Sequence, residues 1–166
     1  MSVRGVLQIH SAPPAMCPHV EWAAAGLLGM AVSLPWVNQP AAPGSMRAEL
    51  TWQGRAGTAA GIVSALSGWN RLRFEMTEEA SPGCDAVRYS YTPGLGTFSA
   101  ITSANGDIVI PESRLRAAIT LAAAASSGGS LENELGRLLG GPWDDELEPF
   151  RCAAEGAPVR WLHATG

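Results

Sequence analysis

Val3–His10 (VRGVLQIH), His19–Gly29 (HVEWAAAGLLG) and Ala31–Val37 (AVSLPWV) read in turn as strand, helix and strand. Arg47–Gln53 (RAELTWQ), Thr58–Trp69 (TAAGIVSALSGW) and Arg71–Thr77 (RLRFEMT) repeat the pattern. In the first unit Val20, Ala24, Leu27 and Leu28 recur at helical spacing. Pro18 suits a first helical turn, Gly29 a C-terminal stop, and Pro35 an edge strand. In the second unit, Ala48, Leu50 and Trp52 alternate with polar neighbours, as do Leu72, Phe74 and Met76, while Ile62, Val63 and Leu66 supply the apolar side of the helix. A βαβ unit written twice predicts an α+β fold, the ferredoxin-like βαββαβ sandwich. With the four strands numbered along the chain, the expected antiparallel order is 4-1-3-2, both helices lying on one face.

Beyond this half, residues 78–86 (EEASPGCDA) form a polar linker. Val87–Thr92 and Thr97–Thr102 are expected to pair as a hairpin across Pro93-Gly94-Leu95-Gly96. Asn105-Gly106 marks a turn before a short strand, Asp107–Ile110. Helices are expected at Glu112–Ala125 and Leu131–Leu139, joined by Ser126–Ser130, the second ending at Gly140-Gly141-Pro142. An acidic segment, WDDELEP, starts a helical turn, and Val159–His163 is a candidate last strand. The expected organisation is one domain over residues 1–166, with a βαββαβ half at 1–77 and a C-terminal extension at 87–166 packed on it.

Composition narrows the chemistry. Charged residues make up 16% of the chain, below the roughly 25% usual for soluble domains. Six Trp and an apolar fraction of 46% point to an uncharged surface suited to a partner. All eleven basic residues are Arg, so there is no Walker lysine and no Schiff-base lysine. A net charge of −4 without a basic run argues against nucleic acid. The apolar stretch Trp22–Val37 is too short and too broken to span a membrane, and the N-terminus lacks a signal-peptide pattern. Three dispersed cysteines, Cys17, Cys84 and Cys152, suggest a reducing, cytoplasmic setting.

Four constellations hold candidate chemistry. Cys17, beside Pro18 at a helix start, with His19, His10 and Glu21, can be read as an activated thiol or a metal or redox site. The bland alternative is a proline-rich turn whose Cys and His simply pack. Trp143-Asp144-Asp145-Glu146-Leu147-Glu148 offers carboxylates for a cation or acid–base pair, or merely acidic residues favoured by a helix dipole. Arg47, Arg71 and Arg73, with Gln8, His10, Glu49 and Glu75, mark a polar sheet face. That face either binds an anion or nucleotide or is covered by the C-terminal half through ion pairs. Trp52 and Phe74 fall on its opposite side, unlike the base-stacking aromatics of RNA-binding modules. Finally, Trp143 and Trp161, in irregular or terminal segments, are candidates for a partner surface together with Asp144 and Asp145.

The strings RGVLQIHSAP, CPHVEWA, PAAPGSMRAE, GDIVIPESRLRAA, PWDDELEPFR and GAPVRWLH resemble an actinobacterial family known as domain of unknown function 3145. The resemblance runs from about Arg4 to His163, departing at Glu79–Ala86 and along the Ala-rich run Ala122–Ser130. It implies no activity, cofactor or site residue. The expectation is therefore a non-enzymatic protein-interaction or regulatory module, with no cofactor or metal, an unknown protein partner and a possible homodimer. The alternative is a small enzyme or sensor using Cys17, His19 and His10. A weaker one is anion binding on the arginine-bearing sheet face.

Overall fold

The computed structural model describes residues 2–125 and 130–153. Seven strands form one antiparallel sheet in the order β2-β3-β1-β4-β5-β6-β7. They are β1 (Ser2–Ala12), β2 (Val37–Asn38), β3 (Met46–Arg55), β4 (Arg73–Glu78), β5 (Ala86–Thr92), β6 (Gly96–Thr102) and β7 (Ile108–Val109). The helices are α1 (Cys17–Leu28), α2 (Thr58–Leu66), α3 (Glu112–Ala124), α4 (Leu131–Leu138) and α5 (Gly141–Cys152). The protein is thus α+β, and its sheet continues from β4 into β5 without a break.

Strand alternation assigns the two faces. Leu7, Ile9, Trp52, Phe74, Met76 and Tyr91 point to one side and form a core with Val20 of α1 and Ile62, Val63 and Leu66 of α2. The intervening residues Gln8, His10, Arg73, Glu75, Arg88 and Ser90 point to the other, where α5 lies. Gly5 makes the first face possible beside Trp52: a Cβ there would sit 2.4 Å from the indole and 2.0 Å from the Thr77 carbonyl oxygen.

Several expected elements are corrected. Ala31–Val37 is not a strand; only Val37–Asn38 pairs with β3. Val32, Leu34 and Trp36 still pack against the core, but the Leu34 N–H and the Trp36 indole both donate to Glu21 of α1, and Pro35 has no N–H to offer a ladder. α2 stops at Leu66 rather than Trp69, followed by Gly68 at φ +88°. β4 begins at Arg73, because Arg71 adopts φ +75° and cannot continue an extended strand. The acidic segment is more than a turn: it lies within a twelve-residue helix, α5, with Pro142 in its first turn and Pro149 inside it. The expected strand Val159–His163 lies outside the described residues, as does most of the Ser126–Ser130 connection.

Candidate functional site

β4 places Glu75 on the α5 face, and almost every neighbour aims a donor at it. His10 Nε2 lies 2.7 Å from Oε2, Arg151 Nε 2.8 Å from Oε2, Arg88 Nη2 3.1 Å from Oε1, and Ser90 Oγ 3.2 Å from Oε1. Arg151 adds a second bond through Nη2, so its guanidinium grips the carboxylate with two nitrogens. Burial alone raises the Glu75 carboxyl. The His10 hydrogen bond and the Arg151 guanidinium outweigh it and hold the group well below the usual carboxylate range. Burial likewise disfavours the charged Arg151, yet Glu75 and Asp144 drive its affinity for the proton upward.

The other side of this cluster comes from α5. Asp144, Glu148 and Arg151 are spaced three or four apart along one helical face. Asp144 accepts from both Arg88 and Arg151, and Glu148 from Arg151. Between them in sequence, Glu146 accepts from Arg73 and from the Thr92 hydroxyl, while the Arg73 guanidinium stacks 4.8 Å from the Phe150 ring centre. Trp143 donates its indole N–H to the Gly96 carbonyl at 3.0 Å and packs against Phe98. Buried Gln39 ties the end of the helix down, donating to the carbonyls of His10 and Phe150.

Beside the C-terminal end of α5, a groove of about 680 Å³ opens over β3, β1, β4 and β5. Its polar lining includes Gln8, His10, Arg47, Glu49, Glu75 and Arg88; Val37, Ala86, Ala104 and Phe150 supply apolar walls. The volume falls in the range of small-ligand sites. The chain belongs to the DUF3145 family. Its match to this group, described as proteins of unknown function, covers residues 6–164. No curated protein and no solved structure matches the chain.

Within this DUF3145 protein the residues singled out from sequence scatter. His10 faces Glu75 on the α5 side, whereas Cys17 belongs to the core on the opposite side, and His19 is exposed, edge-on to Trp22. The three are not brought together. Cys17 directs its thiol at the Pro13 carbonyl, and burial, followed by the Glu21 carboxylate, pushes its pKa up, the reverse of an activated thiol. Among the described residues no group of three or more His, Cys, Asp or Glu side chains is placed to hold a metal ion. Of the three arginines expected on one open face, Arg71 lies in a turn, Arg73 is engaged by Glu146, and Arg47 lines the groove. Trp143 and Asp144 are turned to the protein's own sheet rather than outward; Asp145 is exposed, and Trp161 lies outside the described residues. Gln39, Arg88, Ser90 and Phe150 were not singled out from sequence. For Arg88 and Ser90 the available signal was alternation within β5, which becomes informative only once β5 is known to lie beside β4.

Proposed function

We propose that this DUF3145 protein is a non-enzymatic recognition module that receives an extended polypeptide segment in the groove beside α5. The observation that carries this reading is the Glu75 cluster. Its donors and acceptors are spent on one another, leaving a rigid polar floor under an apolar-walled groove. A general acid or base needs a pKa near the working pH; Glu75 is held far from it. The paired floor therefore supports recognition and shape rather than proton transfer. The unassembled Cys17, His19 and His10 weaken the enzyme and sensor alternative, and the engagement of Arg73 weakens anion binding on the sheet face.

The residues of β1 to β4 with α1 and α2 are read as a ferredoxin-like unit, extended by β5–β7 and α3–α5. Free thiols at Cys17, Cys84 and Cys152 support a reducing compartment such as the cytoplasm. No helix of the described residues is long and apolar enough to cross a membrane. A second copy of the chain is the partner we assign to α3 and α4, where Leu115, Ile119, Leu121 and Leu131 are exposed.

The groove reading is tested by selecting displayed random heptapeptides against the full chain. Enriched peptides should lose binding to Ala104→Trp, which fills the groove, and keep binding to Leu121→Arg on α3. No enrichment, or enrichment insensitive to Ala104→Trp, overturns the reading.

A further inference from the structure

We propose that two copies of this chain pair antiparallel through the open edge of β3, with Glu49 of one copy opposite Arg55 of the partner subunit. This pairing stands apart from the groove reading and from the contact assigned to α3 and α4.

β3 has an uncovered edge. It runs from Met46 to Arg55, yet β2 pairs with it only at Met46 and Arg47. The residues that precede β2, Ala31–Trp36, form no ladder along this edge, because the Leu34 N–H and the Trp36 indole are committed to Glu21. Hydrogen-bond phase shows which backbone groups are left. The Gln39 N–H donates to the Ser45 carbonyl at 2.9 Å, and Val37 stands opposite Arg47. The two sides of a strand alternate, so odd-numbered residues of β3 aim their N–H and C=O groups away from β1. The other side agrees. The Glu79 N–H donates to the Arg4 carbonyl, which turns the even residues of β1 to β4. Its odd residues, paired with Gly54, Trp52, Leu50 and Ala48, face β3. Glu49, Thr51, Gln53 and Arg55 thus present backbone donors and acceptors that no backbone group among the described residues meets, and their side chains are exposed.

Charge and register name the occupant. Among the described residues Arg55 forms no ion pair, and Glu49 accepts only from the neutral Gln8 amide, at 3.0 Å. In a twofold antiparallel pair centred on Trp52, Glu49 lies opposite Arg55 of the partner subunit and Thr51 opposite Gln53 of the partner subunit, each combination occurring twice. Opposite charges so placed attract across the strands. Moving the centre to Thr51 sets Arg47 against Arg55, and moving it to Gln53 leaves Glu49 opposite Gly57. A slip of one residue would set the polar face of one sheet beside the helix-covered face of the other. One register therefore satisfies both the bare backbone and the charges, and a second copy of the chain supplies it. Glu49 also lines the groove, so this pairing brings Arg55 of the partner subunit to the groove's rim.

Mass is read in the Ile119→Glu background, which takes any contact through α3 out of the measurement. By sedimentation velocity at about 100 μM, a concentration that populates any dimer of micromolar affinity, this protein should run at twice the 17.3 kDa of one chain. Glu49→Arg and Arg55→Glu each turn two attractive pairs into repulsive ones. At about tenfold per pair, either variant alone should dimerise about a hundredfold more weakly. Mixed one to one, the two variants should dimerise again, because each of these positions then meets an opposite charge. Thr51→Pro, which removes an outward N–H at an edge where proline is tolerated, should give a monomer with native circular dichroism.

A monomer before any edge substitution overturns the proposal. So do charge variants or a folded Thr51→Pro protein that stay dimeric, and a mixture of the charge variants that stays monomeric. Heptapeptide selection on the groove is a separate readout, so loss of the pairing leaves the groove reading standing, and the reverse.

Discussion

Glu75→Gln is the most informative single change in this protein. The wild-type carboxylate accepts from His10, Arg88, Ser90 and, twice, Arg151 while almost wholly buried. The amide keeps the shape but loses the charge, and its NH2 group turns a donor toward donors. Removing one partner of a buried ion pair costs about 3–5 kcal/mol. Here the lower end applies, because Arg88 and Arg151 retain Asp144. About 3 kcal/mol corresponds to a fall in Tm of roughly 6–12 °C for a chain of this size. The pH dependence carries a second signature. The folded-state pKa of Glu75 is depressed, so its stabilisation is complete above the ordinary value of 4.5 and is lost as pH falls toward the folded value. Urea unfolding followed by tryptophan fluorescence, repeated between about pH 7 and pH 3, reads both effects. The wild type should lose stability below about pH 4.5 more steeply than Glu75→Gln does. The double variant Glu75→Leu/Arg151→Met, which removes both charges, should recover part of the loss. A variant within about 1 kcal/mol of wild type, with the same acid slope, would refute the view that this carboxylate locks α5 to the sheet.

Iodoacetamide labelling read by mass spectrometry should modify Cys84 first and Cys17 last, since Cys17 is buried with a raised pKa and Cys84 is exposed; preferential labelling of Cys17 would restore the activated-thiol reading. Glu78→Ala should cost about 1–2 kcal/mol in denaturant unfolding, because its carboxylate caps α2 through the N–H groups of Gly57 and Ala59 at 2.7 and 2.9 Å. Gly5→Ala should leave no soluble folded protein on gel filtration, the new Cβ falling against Trp52 and the Thr77 carbonyl; a monodisperse product with native circular dichroism would contradict the close approach of β1 and β4. Ile119→Glu should shift any self-association seen by sedimentation velocity toward the monomer, and an unchanged profile would remove α3 from the proposed contact.

Local periodicity determined much about this protein by itself. Within β4, Phe74 and Met76 alternate with Arg73 and Glu75, and both are fully buried, because side-chain direction in a strand follows from the backbone alone. The helices expected at Glu112–Ala125 and Leu131–Leu139 are present and end one residue earlier, at Ala124 and Leu138, with Ser130 capping the second through its side chain. Cover of the polar sheet face by the C-terminal half through ion pairs was one of two readings the sequence left open, but the residues that pair were not legible. The acidic segment at Asp144–Glu148 read equally as a cation or acid–base site or as residues favoured by a helix dipole, until the fold sets Arg88 and Glu75 before Asp144 and Arg151. Those partners lie 56 and 76 residues from Asp144 and Arg151 respectively. The failure of Ala31–Val37 to become a strand has the same origin. Its apolar alternation is genuine, and Val32, Leu34 and Trp36 do turn inward, but Glu21 on a neighbouring helix claims the hydrogen bonds that a ladder would have used. Apolar patterning is a property of the segment and can be read from the chain. The choice of hydrogen-bond partner, and the balance of burial against neighbouring charges that lowers the Glu75 pKa and raises that of Cys17, depends on which groups the folded chain places within reach.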